Sequence, residues 1–342
     1  MKKGPIGHIL VIAPASVSMA AMSVPALEGV LCGYPKVKMT ILTKSFYKPI
    51  FRSLSAAEVI ISDEVKYRGV VGFVRLWREV RRLGVDAVVD LSGGCRERVL
   101  SLAPALFGTR ARYRRHKGEA RIITRKYRKI IRPLTSPTER VCTLFEAIGL
   151  PAEAKLPIVN SGRADESSSL EILLGEKCGS WVGVSLLSPN HGTCYPIPLA
   201  AKLIELLAEC HSKVVLFGVD EYERQFAEGM QSLHRNAISV AGRLTLDEQM
   251  TLLGRLDAVV CIDGDLMRLA ALVGTPIVAL WGATHPYIAP LFGDAVAANL
   301  QCPMACRPCS ADGRRKCLFG HYKCMNSITP QDVLKAPVLN NV

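Results

Sequence analysis

Residues 258–286 read AVVCIDGDLMRLAALVGTPIVALWGATHP. The apolar run Ala258–Ile262 has the length and composition of a strand buried on both faces. The turn Asp263-Gly264-Asp265 follows, then an apolar helical run over Leu266–Val273 and a Gly-Thr-Pro corner. Ile277–Trp281 repeats the buried-strand composition and leads into a glycine-containing loop. Strand, helix and strand in so short a span form a compact unit of a parallel sheet. The turn sets backbone N–H groups at a helix N-terminus, where donors and helix dipole both favour a phosphate.

The same alternation extends in both directions. Toward the N-terminus lie strands at 181–186, 213–218 and 237–242, with helices at 197–210, 220–233 and 246–256 between them. A first series starts with HILVIAP, continues through a helix to about Leu31, a strand at 37–43 and a polar helical stretch, and reaches a strand at 86–93. Its helix over 69–83 is expected to turn Val74, Leu76, Trp77 and Val80 inward and Arg75, Arg78, Arg81 and Arg82 outward. A further helix is expected from Thr138 to Leu150, and residues 151–169 read as a linker. The fold class expected is α/β, with two Rossmann-like, doubly wound parallel-sheet domains facing across a cleft. The expected boundaries are 1–160, 161–328, and a closing segment 329–342 that crosses back to the first domain.

At 342 residues with 49% hydrophobic content, two cores are affordable. A net charge of +13 implies an anionic partner: a phosphorylated ligand, nucleic acid or an acidic membrane surface. Aromatic residues at 6% disfavour a base-stacking platform, so nucleic acid is not expected. No apolar run reaches the ~18 residues of a membrane span. Lys2-Lys3 followed by an Ala-rich apolar run imitates a signal peptide, but Pro14 and the hydroxyl residues interrupt it, and a first strand is the preferred reading. Most of the twelve cysteines stand singly at apolar positions, which fits reduced thiols in the cytoplasm.

Several residues invite a chemical role. Between 110 and 132 the chain holds Arg110, Arg112, Arg114, Arg115, Lys117, Arg121 and five more cations against one acid, Glu119. Such a run is a solvated face or an anion grip. Arg96, Lys117 and Arg121 are the candidates for gripping an anionic acceptor. Glu221 and Glu223, after the 213–218 strand, suit the start of a helix. Cys306, Cys309, Cys317 and Cys324, with His321 nearby, have the spacing of a structural zinc site; packing of reduced thiols is the other reading. No GxGxxG follows a first strand, which disfavours a nicotinamide-dependent dehydrogenase.

ISVAGRLTLDEQ, the 258–286 stretch, YPIPLAAKLIELL and the tail CRPCSADGRRKCLFGHYKCMNSITPQDVL together resemble glycosyltransferase family 9, the lipopolysaccharide heptosyltransferases of GT-B fold. The resemblance implies an ADP-heptose or related ADP-sugar donor in the second half. It implies an anionic, lipid-linked inner-core saccharide as acceptor in the first, and inversion without a catalytic metal. It implies peripheral attachment at the inner face of the inner membrane. Carried onto this chain, the donor set is Ser188, His191, Thr193, Glu221, Glu223, Asp263, Gly264, Asp265, Leu266, Met267 and Arg268. The acceptor set is Ser16, Ser18, Arg96, Lys117 and Arg121.

Four positions depart from the family pattern. Where the family carries an aspartate base, this chain has Met19, which accepts no proton. Where it carries a phosphate-binding lysine, Thr193 stands. In the phosphate turn Arg268 replaces a histidine, and Asp265 adds an acid that repels pyrophosphate while favouring the helix dipole. Two functions follow: a glycosyltransferase, or a pseudo-glycosyltransferase that binds a nucleotide sugar or a partner without turnover.

Overall fold

The computed structural model describes residues 6–62, 66–92, 109–112, 133–157, 164–288, 290–293 and 295–340. They form two compact units. The first takes the described residues up to 112 together with 137–157, and the second takes 133–136 with 164–340.

The first unit is a five-stranded parallel sheet. Its strands are β1 (His8–Ile12), β2 (Lys38–Thr43), β3 (Ala57–Ile61), β4 (Ala87–Asp90) and β5 (Thr109–Arg112), in the order β3-β2-β1-β4-β5. β1 is central because Ile9, Leu10 and Val11 are fully buried. Each such side chain contributes about 1.5–3 kcal/mol relative to exposure. Among the described residues three α-helices accompany the sheet: α1 (Val17–Gly33), α2 (Gly69–Arg82) and α3 (Pro137–Ala147). Thr138 at the start of α3 donates its hydroxyl to the Met22 carbonyl of α1 at 2.7 Å.

Two expectations are corrected here. On α2 the buried positions are Gly72, Leu76 and Val80, with Phe73 and Trp77 packed against them, while Val74 is exposed. Val74 lies two residues, about 200°, from Leu76 and so on the opposite face. Residues 151–155 are not a free linker. Lys155 donates its N–H to the Pro25 carbonyl of α1 at 2.8 Å, and the Tyr34 hydroxyl donates to the Pro151 carbonyl at 2.9 Å.

The second unit is a six-stranded parallel sheet. Its strands are β6 (Trp181–Ser185), β7 (Lys213–Leu216), β8 (Ala237–Ser239), β9 (Ala258–Ile262), β10 (Ile277–Trp281) and β11 (Val296–Gln301), in the order β11-β10-β9-β6-β7-β8. Its helices are α4 (Ala164–Leu174), α5 (Ile197–Cys210), α6 (Glu221–Leu233), α7 (Leu246–Leu253) and α8 (Asp265–Val273). Reciprocal capping boxes, Asp220 with Glu223 and Thr245 with Glu248, start α6 and α7. α8 stops at Gly274, whose φ of +81° is the left-handed conformation that glycine adopts without strain.

The closing segment forms α9 (Lys323–Asn326), α10 (Pro330–Leu334) and α11 (Pro337–Asn340). Val333, Ala336 and Leu339 are buried in the core of the second unit, and the Tyr195 hydroxyl donates to the Ile328 carbonyl at 2.6 Å. The expected crossing back to the first domain is replaced by packing on the second, because these apolar side chains complete the face of α5.

Strands β3, β5 and β11 were not expected from the sequence. All three lie at sheet edges. β3 carries Glu58, paired with Lys38 of β2 at 2.9 Å, and β11 alternates half-buried with exposed residues. Edge strands carry polar residues and lack the continuous apolar run that marks the centre.

In each sheet the strand order reverses once. The reversal falls between β1 and β4 in the first unit and between β6 and β9 in the second. In open parallel sheets, ligands bind outside the carboxyl ends of the strands at such a point.

Candidate active site

The second unit's reversal point is built by the loop after β6 and the turn after β9, strands that pair directly with Ser185 opposite Cys261. Asp263 and Gly264 are half-buried, Asp265 is exposed, and Met267 and Arg268 are buried. Gly264 occupies the N-cap position of α8 in extended conformation, and its lack of a side chain leaves the first turn uncapped from that position. Arg268, one turn into α8, folds back over the turn. Its Nη1 lies 2.5 Å from Asp263 Oδ1 and donates to the Gly264 carbonyl at 3.0 Å, with side-chain exposures of 8% and 14% for the ion pair. Arg268, expected to offer its charge to a phosphate, is engaged here by Asp263. Leu266 is half-buried beside these groups.

The loop after β6 is fixed by backbone contacts. Gly192 donates its N–H to the Gly313 carbonyl at 2.9 Å, and Ala283 donates to the Gly192 carbonyl at 2.8 Å. A Cβ on Gly192 would lie 2.6 Å from the Gly313 oxygen, so only glycine permits the approach. Cys309 and Ser310 both donate to the Ala283 carbonyl, at 3.0 and 3.1 Å. Three loops, from 188–195, 282–285 and 309–313, are thus tied into one wall.

Thr193 lies inside that wall. It is 2% exposed and donates its hydroxyl to the Asn190 carbonyl at 3.1 Å. Its hydroxyl, expected to meet a phosphate, here packs the loop. Ser188 Oγ accepts the Asn190 N–H at 3.0 Å, and His191 is exposed at the loop tip. Glu223 accepts the N–H groups of Val219 and Asp220 at 2.5 and 3.2 Å in the capping box, and burial pushes its carboxyl up from the usual range. Glu221 is exposed and engaged by Arg224 at 2.5 Å and Gln225 at 2.9 Å. The helix-start reading of both glutamates accounts for every bond they make here.

The sequence marks Arg307 only as a basic neighbour of the cysteines. It is buried between Cys306 and Pro308 and donates to the carbonyls of Gly282, Cys302 and Thr284 at 2.5, 2.8 and 3.0 Å. Its only signal was a cation inside a CxxC motif. Burial, and then the Arg307 charge, push His285 down to about 4, so its imidazole is neutral at neutral pH. Its Nδ1 accepts the Tyr287 N–H at 3.1 Å. The zinc reading is corrected: among the described residues no three Cys, His, Asp or Glu side chains form a group that would hold a metal. Cys306, Cys309 and Cys324 instead lie within electrostatic range of the buried Arg307 guanidinium, a charge that opposes a dication. Cys317 Sγ lies 4.0 Å from His321 Nδ1.

In the first unit, the reversal point joins the N-terminus of α1 to the end of β4. Ser16 caps α1, its Oγ accepting the Met19 N–H at 3.2 Å, and the first turn, which includes Ser18 and Met19, contains no acid. Asp90, the last residue of β4, pairs in register with Ile12, the last residue of β1. It is fully buried. Its Oδ1 accepts the Ser92 N–H at 3.0 Å and the Ser92 hydroxyl at 2.6 Å. Arg96, Lys117 and Arg121, expected to grip an acceptor, lie outside the described residues.

Two doubly wound parallel sheets, each with loops built up at its reversal point, are the architecture of the GT-B glycosyltransferases. The chain belongs to glycosyltransferase family 9 (heptosyltransferase), whose model matches residues 73–323. A lipooligosaccharide heptosyltransferase 2 from Haemophilus ducreyi is 25% identical over 315 residues, 85% of this chain and 88% of that protein. A segment of 98 residues is 36% identical to lipooligosaccharide heptosyltransferase 2 of Haemophilus influenzae and spans 28% of each chain. The solved structure of E. coli ADP-heptose lps heptosyltransferase II superposes with a TM-score of 0.74 over 98% of this chain and 99% of that one, at 19% identity. That last likeness is one of fold.

Proposed function

We propose that this protein transfers a heptose, or a related sugar, from an ADP-sugar to the inner core of lipopolysaccharide. The observation that carries the reading is the turn 263–268. A helix start free of an N-cap side chain stands at the reversal point of the second sheet, the place and the geometry that suit a diphosphate. The names of the relatives supply the sugar and the acceptor class. The donor lies in the second unit, against Ser188, His191, Asp263, Gly264, Asp265, Leu266 and Met267. The acceptor lies in the first, near Ser16 and Ser18. An acceptor hydroxyl attacks the anomeric carbon in line and ADP leaves with inversion, its charge met by backbone donors and not by a catalytic metal. The net charge of +13 favours an anionic acceptor and peripheral contact with the cytoplasmic face of the inner membrane.

Calorimetry with ADP and ADP-heptose tests the donor site, and mass spectrometry of lipopolysaccharide from cells with and without the protein tests the transfer. Saturable ADP binding and a missing core sugar are expected. No affinity for any nucleotide or nucleotide sugar would overturn the reading. A second reading is favoured by Met19 and by the neutralised Arg268: a nucleotide-sugar-binding protein without turnover. Normal ADP binding with unchanged lipopolysaccharide would decide for it.

A further inference from the structure

The proposed transfer requires that an acceptor hydroxyl lose its proton, and the first turn of α1 offers no group to take it. Among the described residues, Asp90 is the one acid that ends a strand of the first sheet. It ends β4, which with β1 flanks the reversal point, and Leu91 donates its N–H to the Ile12 carbonyl at 2.9 Å. Asp90 is fully buried yet only half satisfied. Oδ1 accepts two hydrogen bonds from Ser92, whereas Oδ2 has no hydrogen-bond partner among the described residues. Oδ2 is ion-paired with Arg112 Nε at 3.5 Å, on a side chain one-third exposed. Burying a carboxylate costs several kcal/mol, and an unbonded oxygen adds to that cost. Ser92, whose hydroxyl bonds the buried carboxylate, is itself only half-buried.

We propose that Ser92 and Asp90 form a proton relay that serves as the general base for the acceptor. The acceptor hydroxyl donates to Ser92 Oγ, and Ser92 passes its own proton to Asp90 Oδ1. As the acceptor oxygen bonds to the anomeric carbon, the bond from that carbon to the β-phosphate oxygen breaks and ADP leaves with the electron pair. One proton is lost from the acceptor and one gained by Asp90, which returns it to water after product release. Arg112 Nε faces the carboxylate at 3.5 Å. The relay rests on the function proposed above.

The test uses the full chain with ADP-heptose as donor and an inner-core saccharide as acceptor, in wild type, Asp90→Asn and Ser92→Ala. Asp90→Asn is nearly isosteric. It is expected to lower kcat about 10²–10⁴-fold, with KM for ADP-heptose within about threefold. The acid limb of the pH–rate profile should vanish with it. Ser92→Ala is expected to lower kcat at least about tenfold with the same unchanged KM. A structural role would move KM and thermal stability together and leave the acid limb in place. Should Asp90→Asn fail to fold, Ser92→Ala decides, and full kcat in that variant overturns the relay. A wild type that transfers normally, with Asp90→Asn within fivefold of it, overturns the relay alone. A wild type that neither binds ADP nor transfers overturns the donor reading and the relay together.

Discussion

The buried pair between Asp263 and Arg268 gives a sharp test of how the donor turn is held. At 2.5 Å the Coulomb attraction, with an effective dielectric near 20, is roughly 7 kcal/mol. Desolvating two ions that are 8% and 14% exposed offsets most of it, at several kcal/mol per ion. The pair as a whole thus contributes little, but each half depends on the other. Removing one partner, by Asp263→Asn or Arg268→Met, should cost about 3–5 kcal/mol because a buried charge is left uncompensated. The double variant should cost little more than one single variant, with a coupling of about 2–3 kcal/mol. Urea unfolding followed by the fluorescence of Trp181 and Trp281, both buried in the second sheet, reads this. With a slope of roughly 3 kcal/mol per molar urea, each single variant should move the midpoint by about 1 M or more. Losses that add within about 0.5 kcal/mol would show that the two groups do not hold one another. Calorimetry with ADP supplies the functional arm. A charge-assisted bond from Arg268 to phosphate would be worth about 1.5–3 kcal/mol. Folded Arg268→Met should lose less than tenfold in ADP affinity; a larger loss would show that Arg268 leaves Asp263 for the nucleotide.

Gly29→Ala should destabilise the first unit by about 1–3 kcal/mol in urea unfolding, although the same change in an exposed helix stabilises by roughly 1 kcal/mol. The added Cβ would stand 1.9 Å from the Glu153 carbonyl oxygen, so a stabilised variant would mean that residues 151–155 do not pack on α1. His285 makes stability pH-dependent. Its folded value of about 4 lies below its unfolded value near 6.5, so the unfolded chain binds the extra proton between them. The contribution is complete above pH 6.5 and declines as pH falls toward 4, by roughly 1–3 kcal/mol after allowance for partial exposure. Comparison of urea midpoints at pH 7 and pH 5 for wild type and His285→Gln should show a smaller decline in the variant; equal declines would refute the shift.

The central strands were legible because a strand buried on both faces is apolar along its length: β9 and β10 are so throughout, and β1, β4 and β6 are apart from the terminal His8, Asp90 and Ser185. The helix at 265–273 was legible for the same reason, bounded by a turn and by Gly274. The edge strands β3, β5 and β11 were not, since an edge needs only half a face of apolar residues and keeps its charges in solvent. The placement of the candidate sites followed from strand order, which a pattern of alternating strands and helices suggests without fixing.

Side-chain partners were another matter. Arg268 and Asp263 stand five positions apart in the chain, and only the first turn of α8 shows that they neutralise one another. Thr193 reads as a hydroxyl in a polar loop, yet the approach of Gly313 buries it. The spacing of Cys306, Cys309, Cys317 and Cys324 suits a metal, but spacing does not show that Arg307 is buried among these thiols. Asp90 is one acid among the thirty acidic residues of the chain until the sheet sets it beside Ile12, buried and half bonded. The amino-acid pattern alone determined the layers, the parallel sheets and the family, because burial and chain direction impose periodicities on sequence. Which charge meets which was decided by tertiary structure alone, because electrostatic and hydrogen-bond energies depend on distances of a few ångströms between residues far apart in the chain.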